Sequence, residues 1–427
     1  MSLIYSTLTS ILNRISDEIH KSLFFTTIFS VISFIENEWI NSYFKRLYPG
    51  ENFLNFLNKH FIIKNHMFNP LIVLFVFSMF LLLSINSIST SLTITLTIGF
   101  ISFFIGSTII PKFLLNGTDE IAIQFKRDDI YSIGFCLLLV SIVFFFISIA
   151  TVGGIPILRP SIRYLLKPAF TMPVFLIIPA TCLIASVHLK DFQDKKITRQ
   201  QARFRFLLLL VIDSALLLTL GYRTPLLAAF LGIIIMGYYG NIVSPWEVVV
   251  GGLIGICAII GIGYFRSLKE LTITSSTNPI STLQNRADFT LHVLNLLDFI
   301  GGNFGVTHGR LLASAIPGSE LGPRMIVGKL IAWRSEVTIT PSLIGQMVAD
   351  FGKVGVFVEM LILGTILGIG FKIMQKTKDY FYIGIYSLIL TYSILGVETG
   401  ILDIQVLAYF IIAIFIYITY TLKSRNY

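Results

Sequence analysis

Four arginines, one histidine and one glutamate are the groups in this chain best suited to handle a phosphate and a hydroxyl: Arg223, Arg266, Arg310, Arg334, His308 and Glu336. A planar guanidinium donates two parallel hydrogen bonds to a phosphate, which a compact ammonium cannot do. An imidazole with an unperturbed pKa near 6.5 can take a hydroxyl proton at neutral pH, and a carboxylate can do the same or hold the hydroxyl. Arg223, in TLGYRTPLLAAFLG, and Arg266, in GIGYFRSLKE, stand at the ends of adjacent apolar runs, so both can reach one anionic head. Each has a plainer reading as a cation snorkelling to lipid headgroups. His308 and Arg310 open HGRLLASAIPGSELGPR, just after the Gly301-Gly302 and Gly305 turn region. Arg334 and Glu336 stand two apart in AWRSEVTITPS, where Ser342 is placed to cap the next helix. They read either as phosphate ligand and base or as a local ion pair. His292, among apolar residues, reads as structural. Asp213, inside LLLLVIDSALLLTL, marks a buried site or an acid satisfied by a neighbouring helix.

Several chemistries are missing. There is no phosphate-cradling glycine loop, no G-x-S-x-G elbow, no H-E-x-x-H and no close acidic pair of the kind that holds a metal. Cys136, Cys182 and Cys257 all fall in apolar runs and read as small core residues, so neither a metal nor another cofactor is expected. The net charge of +9 is spread between apolar runs, which argues against a nucleic-acid partner.

The elements that carry these residues are membrane helices. Apolar residues make up 55% of the chain and charged residues 13%, about half the usual charged share of a soluble domain. Ten spans are predicted, over 70–88, 91–110, 130–150, 169–188, 206–221, 225–239, 246–265, 343–371, 380–397 and 403–421. The eighth exceeds what a bilayer needs, so its first part is expected to lie in the interface or to dip in as broken helix. Residues 1–69 read as amphipathic helices in the cytoplasmic interface, with Leu8, Ile11, Leu12, Ile15 and Ile19 on one face. Residues 70–265 hold the first seven spans, 266–342 a long extracytoplasmic loop, and 343–427 the last three spans with a short tail. Lys and Arg concentrate in segments such as KDFQDKKITRQQARFR, whereas the short loops of the other side hold only Arg159, Arg163, Lys167 and Arg223. That asymmetry puts both termini in the cytoplasm of a multi-pass protein of the cell membrane. No internal repeat is visible, unlike many secondary transporters.

GYRTPLL at the fifth turn, YFR closing the seventh span, AIP in the loop and TPSLIGQMVADFGKVG entering the eighth form one set. Over roughly residues 70–420 the chain resembles the oligosaccharide repeat-unit polymerases, Wzy-type membrane glycosyltransferases related in layout to O-antigen ligases. The resemblance implies an all-α, GT-C-like polytopic fold. It also implies transfer of a glycan from a polyprenyl (pyro)phosphate to the hydroxyl of another lipid-linked repeat unit, on the outer face. Arg223, Arg266, Arg310 and Arg334 would then hold the donor phosphates, and His308 or Glu336 would act as base. Partners implied are the lipid-linked oligosaccharide, the bilayer, a chain-length regulator and a flippase. A ligase sharing the donor, or a flippase of the same lipid-linked sugar, is the alternative function.

Overall fold

The structure, a computed structural model, describes residues 67–114, 125–159, 162, 165–270, 279–316, 319, 321–332, 338–377, 379–401 and 403–425. The amphipathic helices expected before residue 67 lie outside these residues, as do Arg334 and Glu336. All regular structure among the described residues is helical. The helices are α1 (Ile72–Leu82), α2 (Thr90–Leu114), α3 (Arg127–Val152), α4 (Pro168–Gln193), α5 (Arg199–Thr219), α6 (Arg223–Tyr239) and α7 (Pro245–Glu270). They continue as α8 (Pro279–Gly301), α9 (Arg310–Ser314), α10 (Pro323–Ala332), α11 (Ser342–Thr377), α12 (Tyr380–Thr399) and α13 (Ile404–Arg425).

Local chemistry explains several boundaries. Pro168, Pro245, Pro279 and Pro323 each start a helix, where a missing N–H costs nothing. Thr198 and Gln201 form a reciprocal capping box at the start of α5. Asp379 caps α12 by accepting from the Phe381 N–H at 2.8 Å.

Each of the ten expected spans coincides with a helix. Five of the helices, α2, α3, α4, α11 and α12, are long and apolar enough to cross a membrane, and α1, α6 and parts of α7 and α13 are shorter apolar helices. α4 and α12 are the most enclosed of the five, whereas α3 shows much of its apolar surface outward, Val143 and Phe146 included. Large apolar side chains around the outside of an all-helical bundle suit a hydrocarbon surrounding.

α11 is the hub, packing on α2, α8 and α12. Against α2 the two backbones touch. A Cβ on Gly106 would collide with the Leu361 carbonyl oxygen, and one on Gly368 with the Ser107 carbonyl oxygen. Small residues spaced four apart, Gly364 and Gly368, allow this approach. α2 contains a π-helical turn, Ile105–Ile109, just before Pro111. The sequence places residues such as Arg223, His308 and Glu398 at one end of the bundle (the loop end) and Arg127, Asp191 and Tyr380 at the other.

Candidate active site at the loop end

The overlong eighth span is broken. As one straight helix its 36 residues would be about 54 Å long, well beyond the ~30 Å of hydrocarbon. Gly352, at φ 63° and ψ −149°, divides it into 342–351 and 353–377. That backbone region is essentially restricted to glycine. The main-chain groups freed by the break are taken up by the segment after α8. Val306 and Thr307 N–H groups donate to the Ala349 carbonyl at 2.8 and 3.1 Å, and the His308 N–H donates to that of Asp350 at 3.0 Å. In the other direction, the Lys353 and Val354 N–H groups donate to the Gly302 and Asn303 carbonyls at 3.3 and 3.4 Å. A Cβ on Gly305 or Gly352 would collide with the facing chain. GGNFG and FGKVG are thus two halves of one seam.

Asp350 locks that seam. Fully buried, it accepts from the Leu311 and Leu312 N–H groups at 3.0 and 2.8 Å, at the start of α9, and from the Thr307 hydroxyl. His308, itself at φ 46°, and Arg310 are carried on this seam with exposed side chains.

Arg223 belongs to a second group. It opens α6, and its Nη2 lies 3.7 Å from Glu398 Oε1, near the end of α12. Arg286 of α8 meets the same oxygen: its Nε donates at 2.7 Å while its Nη2 donates to Thr340 Oγ1 at 3.0 Å. Arg324 of α10 pairs with Asp403 at 2.9 Å, and the carbonyl of Arg324 accepts from the Ile339 N–H at 3.0 Å. Two guanidiniums on one carboxylate oxygen, about two-thirds buried, form an anion-shaped seat beside Thr340-Pro341-Ser342. The capping expected of Ser342 is not made. Its backbone is left-handed (φ 66°) rather than extended, as an N-cap requires, and its buried hydroxyl has no hydrogen-bond partner among the described residues.

The structure therefore groups Arg223 with Arg286 and Glu398, and Arg310 with His308. The two groups are separated by the 342–350 segment, roughly 12 Å of helix. Arg266 lies in the last two turns of α7. Asp288 ties α8 to the α1–α2 turn, accepting from the Ser84 hydroxyl at 2.5 Å and the Ile85 N–H at 2.8 Å. Those bonds, the Ser84 hydroxyl foremost, hold its carboxyl below the usual value.

Asp213 is buried between helices and accepts from Thr181 of α4 at 2.9 Å, away from both groups. Sequence reading passed over a buried network at the far end of the bundle. Asp191 accepts from Arg127 Nε at 2.6 Å and Nη2 at 2.8 Å, and Arg205 lies 3.7 Å from its second oxygen and 3.2 Å from His188 Nδ1. Buried charges so paired tie α3, α4 and α5 together.

A family model described as "Putative O-antigen polymerase" matches residues 66–410. An uncharacterized protein of Methanocaldococcus jannaschii is 28% identical over 316 residues, covering 73% of this chain and 82% of its own length. No solved structure matches the chain.

Proposed function

The chain belongs to the O-antigen polymerase family, a membrane family of polysaccharide synthesis, and from that premise we propose that it joins lipid-linked oligosaccharide repeat units by glycosyl transfer. The observation that carries this reading is the convergence of Arg223 and Arg286 on Glu398 at the loop end. In the reaction, the bond between the donor sugar's anomeric carbon and the (pyro)phosphate oxygen breaks. A bond to the acceptor hydroxyl oxygen forms, the hydroxyl proton passes to a base, and the polyprenyl (pyro)phosphate leaves. Arg223 and Arg286 neutralise the charge growing on that leaving group, and Arg266 is assigned to the same grip. Preorganised donors aimed at developing charge are commonly the largest contribution to catalysis. Glu398 holds the two guanidiniums until the phosphate takes its place.

His308 and Arg310 form a second subsite on the seam, with His308 or Glu336 as base and Arg334 completing the phosphate grip. A base contributes typically ~10²–10⁴-fold. The proposal includes ten crossings in a GT-C-like arrangement, both termini cytoplasmic and the loop end outside, where a flippase delivers the donor and a chain-length regulator acts. Deletion of the protein followed by sizing of surface and carrier-linked glycans tests it. Single repeat units on the carrier are expected; full-length chains left on the carrier would mean a ligase instead. Arg223→Lys keeps the charge and loses the fork, and wild-type polymer length in that variant would remove the bidentate role.

A further inference from the structure

At the end of the bundle opposite the loop, α2 and α11 finish side by side around a pocket of about 50 Å³, several times the ~10–15 Å³ that seats one water. Among the described residues its polar lining consists of Asn69, Thr108, Lys112, Lys372 and Gln375, with Ser107 beside them, and no carboxylate. Lys372 does not extend away from it, since its Nζ donates to the Pro111 carbonyl at 3.0 Å. Lys112 forms no ion pair or hydrogen bond among the described residues. Gln375 contributes an amide nitrogen that is buried and has no acceptor among the described residues. A buried donor left unmade is destabilising, so its retention beside two cations asks for a ligand that accepts. The π-helical turn Ile105–Ile109 forms part of the wall through Ser107 and Thr108, and such turns are frequent at binding sites.

We propose that this pocket binds the phosphate headgroup of an anionic phospholipid. Ammonium and amide donors, with no carboxylate among the described lining residues, select a phosphate over a zwitterion's cationic head. Two helix C-termini present their carbonyl ends here, which by themselves repel an anion; the site therefore depends on Lys112 and Lys372. A lipid fits better than free phosphate because the pocket continues into an apolar depression. Leu71 and Asn69 belong to both, and Ile72, Phe75 and Val248 line the depression with room for an acyl chain, about 410 Å³. The site is independent of the glycosyl-transfer reading, since it shares no residue with the loop end.

The test uses the full chain in detergent, with phosphatidylglycerol, phosphatidylcholine or inorganic phosphate added, read by thermal unfolding and by lipid retained in native mass spectrometry. Phosphatidylglycerol is expected to stabilise and to be retained, and the other two are not. Lys112→Ala is expected to weaken phosphatidylglycerol about fivefold, the contribution of one lysine near a membrane surface, and Lys112→Arg to restore it. Gln375→Leu should weaken it without altering charge. Equal stabilisation by both lipids, undiminished binding in Lys112→Ala and Gln375→Leu, or stabilisation by inorganic phosphate alone would overturn the assignment.

Discussion

Arg286→Lys separates a phosphate-gripping role from a structural one. Arg286 makes two simultaneous bonds from one planar group, Nε to Glu398 at 2.7 Å and Nη2 to Thr340 at 3.0 Å. A lysine can replace one of them. The stability lost is a hydrogen bond from a charged donor, ~1.5–3 kcal/mol, plus part of an ion pair that is a third exposed, ~0.2–1 kcal/mol. A total of about 2–4 kcal/mol is a shift of a few degrees in Tm for a chain this size. If the same guanidinium meets the leaving phosphate in the transition state, its loss costs ~10²–10³ in rate. The assay is polymer formation in proteoliposomes, from the carrier-linked repeat units that accumulate in the deletion strain, with Tm measured on the same preparation. Glu398→Gln is the control. Its amide oxygen still accepts from Arg286, but the competing charge is gone, so donor KM should fall with kcat retained. A rate loss in Arg286→Lys no larger than its stability loss would refute the reasoning, and so would a collapse of activity in Glu398→Gln.

The remaining predictions concern the seam and its supports. Gly352→Ala places a side chain in a glycine-only conformation against Asn303, and should cost ~1–3 kcal/mol from backbone strain with the collision added, seen as a fall in Tm with loss of folded yield. Asp350→Asn turns one acceptor of the α9 amides into a donor, costing ~1–3 kcal/mol, and hydrogen exchange across 306–312 should rise while 380–399 stays protected. The carboxyl of Asp288 is held below its ordinary 3.8 by its bonds to Ser84, Ile85 and Asn86. Its contribution is therefore present above that value and lost as pH falls below it, and unfolding scans between pH 5 and 3 should show a dependence that Asp288→Asn abolishes.

How much of this was legible in the sequence varies by element. The helix positions followed from apolar runs, and the excess length of the eighth span announced that it could not be one straight helix. What fills the break was not legible. The bonds between Gly302–His308 and Ala349–Val354 are made by backbone atoms more than forty residues apart, and only their glycines leave a trace. Arg223 was legible as a candidate, whereas its companions Arg286 and Glu398 were not. Glu398 ends a span on the same side as Arg223, and opposite charges at one depth were the signal that would have joined them. The Asp191 network is hidden because Arg127 and Arg205 stand in basic segments whose plainest signal is orientation, although Asp191 at the end of an apolar run hints at a partner.

The seam between residues 302–308 and 349–354 is bonded through main chain and locked by the Asp350 side chain, so its outward side chains are under little obligation to it. Phe304, Val306, His308 and Arg310 face outward from a scaffold that does not need them in order to hold. Exposed positions along it can accordingly change, residue by residue, while the splice beneath keeps its shape.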